Sequence, residues 1–146
     1  MSGAFTSAGS KISVSANLPA TYTKDGFESL TFSEVKEVVD LGEFGRQYNL
    51  VTHNPLSDRR TVKRKGSYND GSVTVQMARV PSDAGQTILL AAVDSDASIS
   101  VKVELQDDSV MYFSAQAMGY PTSVGTVDQI TSASVVLEID NDIIPG

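Results

Sequence analysis

The sequence contains no cysteine and no tryptophan among its 146 residues. Without thiols, disulfide frameworks, zinc–thiolate sites and cysteine nucleophiles are excluded. Aromatic residues make up only 7%. With no tryptophan, the chain lacks the broad ring on which a sugar-binding module stacks its ligand, and this weighs against a carbohydrate- or receptor-binding β-sandwich, the main alternative reading. There is one histidine, His53, with no Asp or Glu within four residues. It has neither a second imidazole to share a metal nor a carboxylate to orient it as a base, so we read it as a loop residue before the Asn54-Pro55 breaker. No Gly-x-Ser-x-Gly elbow, phosphate loop or dinucleotide fingerprint occurs. The paired acids Asp94 and Asp96, Asp107 and Asp108, and Asp140 and Asp142 do not follow the spacing of a calcium loop. The expectation is therefore no enzyme, no catalytic residue, no metal and no cofactor.

No apolar run reaches the roughly 20 residues of a membrane span. The opening residues MSGAFTSAGSK lack the basic-then-apolar order of a signal peptide. We expect synthesis in a cytoplasm, no export by the usual route and no membrane partner. Basic residues are also scarce, 11 against 18 acidic, for a net charge of −7 and a pI near 4.5. That balance opposes tight nucleic-acid binding, which draws on counterion release by a basic surface.

What is present is a strand-rich single domain. Residues 1–10 are small and polar and are expected to form a flexible arm, with one domain over 11–146. Residues 11–15 alternate polar and apolar, and 17–26, with Pro19 and Asp25-Gly26, read as a connection with a turn. Residues 30–41 favour two short strand pieces with an irregularity between them. Phe32, Lys36 and Val38 fall on one face, and Val35, Glu37 and Val39 on the other. Further strands are expected at 46–52, 61–67, 72–79, 98–105, 110–118 and 129–140. Their inward sets are Val73, Val75 and Met77; Ile99, Val101, Val103 and Leu105; Met111, Phe113, Ala115 and Ala117; and Ala133, Val135, Leu137 and Ile139. One helix is expected after Pro81, capped by Ser82 or Asp83, with Ala84, Ile88, Leu89, Ala92 and Val93 on its buried face. The fold class is mainly β: an antiparallel sandwich or barrel with one flanking helix and a projecting excursion at about 42–70.

That excursion concentrates the positive charge. Between residues 45 and 80 there are seven basic and two acidic residues, a balance of +5, which leaves −12 for the rest of a chain totalling −7. The run Thr61-Val62-Lys63-Arg64-Lys65 has one apolar residue in five. Such a strand is a solvated, lysine-guarded edge or part of a contact with another subunit. A chain with two electrostatic faces suits head-to-tail docking of its own copies. A merely solvated loop is the plainer reading of the same charges.

Several local patterns, in order, carry a resemblance. They are Thr21 to Phe27 (TYTKDGF), Leu30-Thr31-Phe32, Asp40 to Gly45 (DLGEFG), Tyr48 to Val51 (YNLV), Lys63 to Gly71 (KRKGSYNDG) and the ending Ser132 to Asp140 (SASVVLEID). The series resembles the major tail tube protein of long, non-contractile-tailed bacteriophages, from about residue 11 to the end. The resemblance implies a β-sandwich-like barrel with one flanking helix, a long loop and flexible terminal segments. It also implies a structural virion protein, made in the bacterial host's cytoplasm, whose hexameric rings stack into a tube for genome delivery. The implied partners are sister copies, a tape measure protein and a tail terminator, with DNA only passing through. The same fold recurs in contractile tails and type VI secretion tubes, so fold alone does not choose among them. On this reading Arg46, Tyr48, Arg59, Arg60, Lys63, Arg64, Lys65 and Tyr68 are expected at the subunit or ring interface. Glu104, Asp107, Asp108, Glu138 and Asp140 are candidates for an acidic bore wall, which would repel phosphates rather than bind them.

Overall fold

The segment that closes the architecture is only eight residues long. Ser33–Val35 (β2) and Val38–Asp40 (β3) are separated by Lys36 and Glu37, and Glu37 takes a positive φ of 61°. β2 pairs with β1 (Lys11–Ser15), whereas β3 pairs with β6 (Ser72–Ala78). The sheet order is β2-β1-β7-β8-β10-β6-β3, so β2 and β3 are its two edges. Three residue steps can span at most roughly 11 Å. Edges so tethered cannot lie at opposite ends of a flat sheet, and the sheet curls into a half-barrel. This computed structural model describes residues 9–42, 44–57, 59–127 and 129–146. Apart from Gly9 and Ser10, the expected arm at 1–10 lies outside the described residues.

The other strands of the sheet are β7 (Ile99–Glu104), β8 (Val110–Gly119) and β10 (Ser132–Ile139). Short β9 (Thr122–Ser123) and β11 (Ile144–Pro145) pair with β10 and β8. All pairings are antiparallel. The alternation in the sequence is realised directly: Val73, Val75 and Met77, Val101 and Val103, Phe113 and Ala115, and Val135 and Leu137 all face one core and are fully buried.

Helix α2 (Ala84–Val93) plugs the curl. Asp83 caps it as expected, its Oδ2 accepting from the Gln86 backbone N–H at 3.0 Å. The same carboxylate accepts from the Lys36 N–H at 3.2 Å and so pins the helix start to the β2–β3 corner. The buried face departs from the expected set. Ala84 is exposed, while Gly85 and Gln86 are buried with Leu89 and Ala92. A Cβ on Gly85 would stand 2.4 Å from the Glu34 carbonyl oxygen, so only glycine lets the helix approach β2 this closely. The Gln86 amide satisfies three backbone groups, donating to the carbonyls of Lys36 and Ala78 and accepting from the Val80 N–H, each at 2.9 Å. It thereby ties the start of the helix to the β2–β3 link and to the end of β6, and buried polar groups of this kind must be paired.

A second correction concerns residues 17–26. Instead of a plain turn, Lys24–Glu28 forms a one-turn helix (α1), capped by Thr23, whose Oγ1 accepts from the Gly26 N–H at 3.2 Å. Phe27 is fully buried and stacks on Tyr112 with ring centroids 5.4 Å apart. Phe32 joins at 6.0 Å. This aromatic group covers the outer face of β8, opposite the main core.

Candidate functional site

One part of the chain takes no share in that core. β4 (Gln47–His53) and β5 (Val62–Asn69) form their own two-stranded sheet. All seven residues of β4 are exposed, and β5 is exposed except for the half-buried Val62 and Gly66. The register places Leu50 opposite Lys65, Val51 opposite Arg64, Thr52 opposite Lys63 and His53 opposite Val62, with a bulge between Tyr48 and Leu50. The strands form because Tyr, Val, Thr and Leu favour extended backbone. Asn54-Pro55 ends β4, and Asn69-Asp70-Gly71 ends β5. There the Asn69 side chain accepts from the Gly71 N–H at 2.8 Å, and Gly71 has φ 86°. Gly66 eases the pairing, since a Cβ there would lie 2.8 Å from Val51 Cγ2 and 3.2 Å from the Asn49 carbonyl oxygen.

The base of the hairpin is fastened to the chain's own body. Arg46 Nε donates to Asp70 Oδ1 at 3.3 Å, and its Nη2 donates to Asp142 Oδ1 at 3.0 Å. Tyr68 OH donates to the same Asp142 oxygen at 3.2 Å. The Asp142 charge beside this hydroxyl raises the Tyr68 phenol above its ordinary pKa. The Arg46 guanidinium lies 4.2 Å from the Tyr68 ring centroid, Tyr68 packs on Tyr48 at 5.3 Å, and Lys65 Nζ sits 4.8 Å from the Tyr48 centroid. The result is a stack of cation, ring, ring and cation. Beside it an open cleft of about 810 Å³, lined by Phe44, Arg46, Tyr48, Asn69, Ser72 and Met111, keeps the hairpin base off the sheet.

The expected interface residues therefore divide into two groups. Arg46, Tyr48 and Tyr68 sit at the base, and Arg46 and Tyr68 are engaged by Asp70 and Asp142 of the same chain. Arg59, Arg60, Lys63, Arg64 and Lys65 lie along the exposed outer part with Leu56, which is wholly exposed at the tip. Asp142 is the residue that sequence reasoning missed. It is 96 positions from Arg46 and 74 from Tyr68, and no local pattern marks it.

The five candidate wall acids are spread along the sheet and its turns rather than gathered at one place. Glu104 is paired with Lys102, Nζ to Oε1 at 2.8 Å. Glu104 lies opposite Val110 on β8 and Glu138 opposite Gln116, six residues or about 20 Å along the strand. Asp107 and Asp108 occupy the β7–β8 turn, where Asp107 accepts from the Ser109 N–H. Asp140 accepts from the Ser98 and Ser114 hydroxyls. Glu138 stands on an uncovered sheet face with Ser72, Thr74, Gln76, Ser134, Val136, Gln116 and Met118. Among the described residues, no group of three or more His, Cys, Asp or Glu is placed to hold a metal ion. No helix among them is long and apolar enough to cross a membrane.

No family model matches the chain, and no curated protein matches it in sequence. Solved structures do match in fold. A chain of the anti-feeding prophage baseplate, from a 6-fold symmetrised cryo-EM structure, superposes with a TM-score of 0.77 at 10% identity, covering 100% of this chain and 97% of that one. A chain of the sheath/tube terminator of the extracellular contractile injection system PVC, in its extended state, gives 0.71 at 10% identity, covering 99% and 98%. The SPP1 tail tube gives 0.63 at 15% identity, covering 94% and 76%. At these identities the likeness establishes a shared fold, a curled antiparallel sheet with a flanking helix.

Proposed function

We propose that this chain is a structural tube subunit that assembles with its own copies into hexameric rings, stacked as the hollow conduit of a phage tail or a related injection device. One observation carries the reading: a hairpin of fifteen strand residues, with three basic residues and no acidic one, is exposed along nearly its whole length on a chain that is otherwise acidic. An isolated two-stranded hairpin is marginal in water. This one gains a second layer only if another copy supplies it, as an exposed edge does by augmentation. A heterologous contact that closes makes a ring, and one that does not close makes a stack.

The fold matches come from chains of a tail tube, a sheath/tube terminator and a baseplate, and this supports the reading. The sequence resemblance favours a non-contractile tail, whereas the fold overlaps SPP1 (0.63) less than the PVC sheath/tube terminator (0.71) and more than a chain of the PVC sheath-tube complex (0.60), so the proposed role is the one common to both. Tape measure and terminator proteins are the further partners this role requires, and the virion is its place. The uncovered face of β6, β10 and β8 carries Glu138 and no Lys or Arg. As a bore wall it offers phosphates nothing to bind by counterion release. The test is electron microscopy of the purified full chain: rings or tubes are expected, and monodisperse single globules at every concentration and salt would refute the role.

A further inference from the structure

Helix α2 ends against its own electrostatics. Its last turn has no basic residue, and Asp94 and Asp96 follow at once, placing two exposed carboxylates at the negative end of the helix dipole. Asp140, also exposed, accepts from the hydroxyl of Ser98, two residues beyond Asp96. Among the described residues, none of these three acids forms an ion pair with a Lys or Arg. Beside them runs a groove of about 250 Å³, lined largely by Ala16, Ile88, Ala91, Ala92, Ala97 and Ile99. It is therefore an apolar slot with an acidic rim.

The hairpin tip has the inverse composition. Leu56 is wholly exposed, Arg59 follows three residues later, and Lys63 and Arg64 lie at the adjoining end of β5. The exposure of Leu56 shows that the tip is not seated in the groove of its own chain. We infer that the groove beside α2 receives the hairpin tip of a second copy, with Leu56 in the slot and Arg59, Lys63 and Arg64 against Asp94, Asp96 and Asp140. The inference rests on the self-assembling role proposed above and adds the receiving surface to it. Apolar burial supplies the anchor, and the opposed charges fix which end of one copy meets which part of the next.

A chain without cysteine allows a direct test. Leu56→Cys is prepared in one sample, and Ala91→Cys or Thr87→Cys in others. Each pair is mixed, assembled beside wild type and oxidised. A disulfide needs Cα atoms within about 7 Å, so a 56–91 or 56–87 link between chains, mapped by mass spectrometry, is the expected result. Rings or tubes that form without either link overturn the receiving surface and leave the assembly role standing. Wild-type protein that never assembles overturns the assembly role itself. In a second arm, Asp94→Lys with Asp96→Lys should raise the concentration needed for assembly at least about tenfold, and adding Arg59→Glu with Lys63→Glu to the same chain should restore it. An unchanged assembly concentration in the first variant, or no recovery in the second while both keep native circular dichroism, contradicts the inference.

Discussion

Strands β6 and β4 are both seven residues long and draw on the same strand-forming residue types, yet they have opposite fates. In SVTVQMA, Val73, Val75 and Met77 are fully buried; in QYNLVTH every residue is exposed. β propensity accounts for both being extended. It does not account for burial, which requires a second layer. β6 has one, since Val73, Val75 and Met77 share a single core with inward residues of the other strands and of α2. β4 and β5 have only each other, a clamp at the base and solvent. A strand pair so built is held in place by a few polar contacts rather than by a core, and on the role proposed above its missing layer comes from another copy.

The largest test of that contrast is a pair of truncations. Phe113→Ala in the sheet should cost about 3–5 kcal/mol of unfolding free energy, the usual loss for a buried aromatic. Leu50→Ala in the hairpin, at a side chain 65% exposed, should cost less than about 0.5 kcal/mol. Urea denaturation of the dissociated chain measures both. Comparable losses would erase the distinction between the two regions.

A smaller effect separates surface pairing on the sheet from that on the hairpin. Hydrogen bonding to Lys102 holds the Glu104 carboxyl below its ordinary range, and the same bond raises Lys102. The Glu104 contribution is present above the unfolded pKa of about 4.3 and is lost as pH falls through the depressed folded value. The Lys102 contribution is present below about 10.4 and is lost as pH rises through the raised folded value. With both side chains partly exposed, the pair is worth about 0.5 kcal/mol. Lys102→Met should therefore be less stable than wild type at pH 7, and the gap should close towards pH 3. A gap independent of pH would contradict this account.

The smallest effect on stability should have the largest effect on hairpin order. Asp142→Ala removes the acceptor shared by Arg46 and Tyr68 but touches no core residue. Its cost should stay within about 0.5 kcal/mol, while amide exchange over 47–53 and 62–69 accelerates at least about threefold. Unchanged exchange there would show that the hairpin holds its pose without the clamp.

The sequence made the sheet legible where a single residue pattern decides the outcome. Strict alternation marked the inward faces of β6, β7 and β10. Asp83 with Gln86 marked the start of α2, and the mixed pattern at 30–41 marked a break, now seen as the positive φ at Glu37. It failed where the deciding partner is remote. Gln86 is buried because Lys36, Ala78 and Val80 present backbone groups to it, and nothing local says so. Helix α1 was hidden because Asp25-Gly26 reads as a turn. Glycine is needed inside that helix because a Cβ on Gly26 would stand 2.0 Å from the Thr21 carbonyl oxygen. The basic hairpin was legible as a charged, apolar-poor projection, but its division into a clamped base and an exposed outer part depends on Asp142, far along the chain.

The central claim is that the hairpin finds its second layer on another copy, and sedimentation velocity tests it most directly. Wild-type protein should sediment as large multi-copy particles. Reversing Arg59, Arg60, Lys63 and Arg64 to Glu should leave a folded species of 15.5 kDa with an unchanged melting temperature. A wild-type chain that stays at monomer mass, or a reversed chain that assembles as wild type does at low and high salt alike, would contradict the claim.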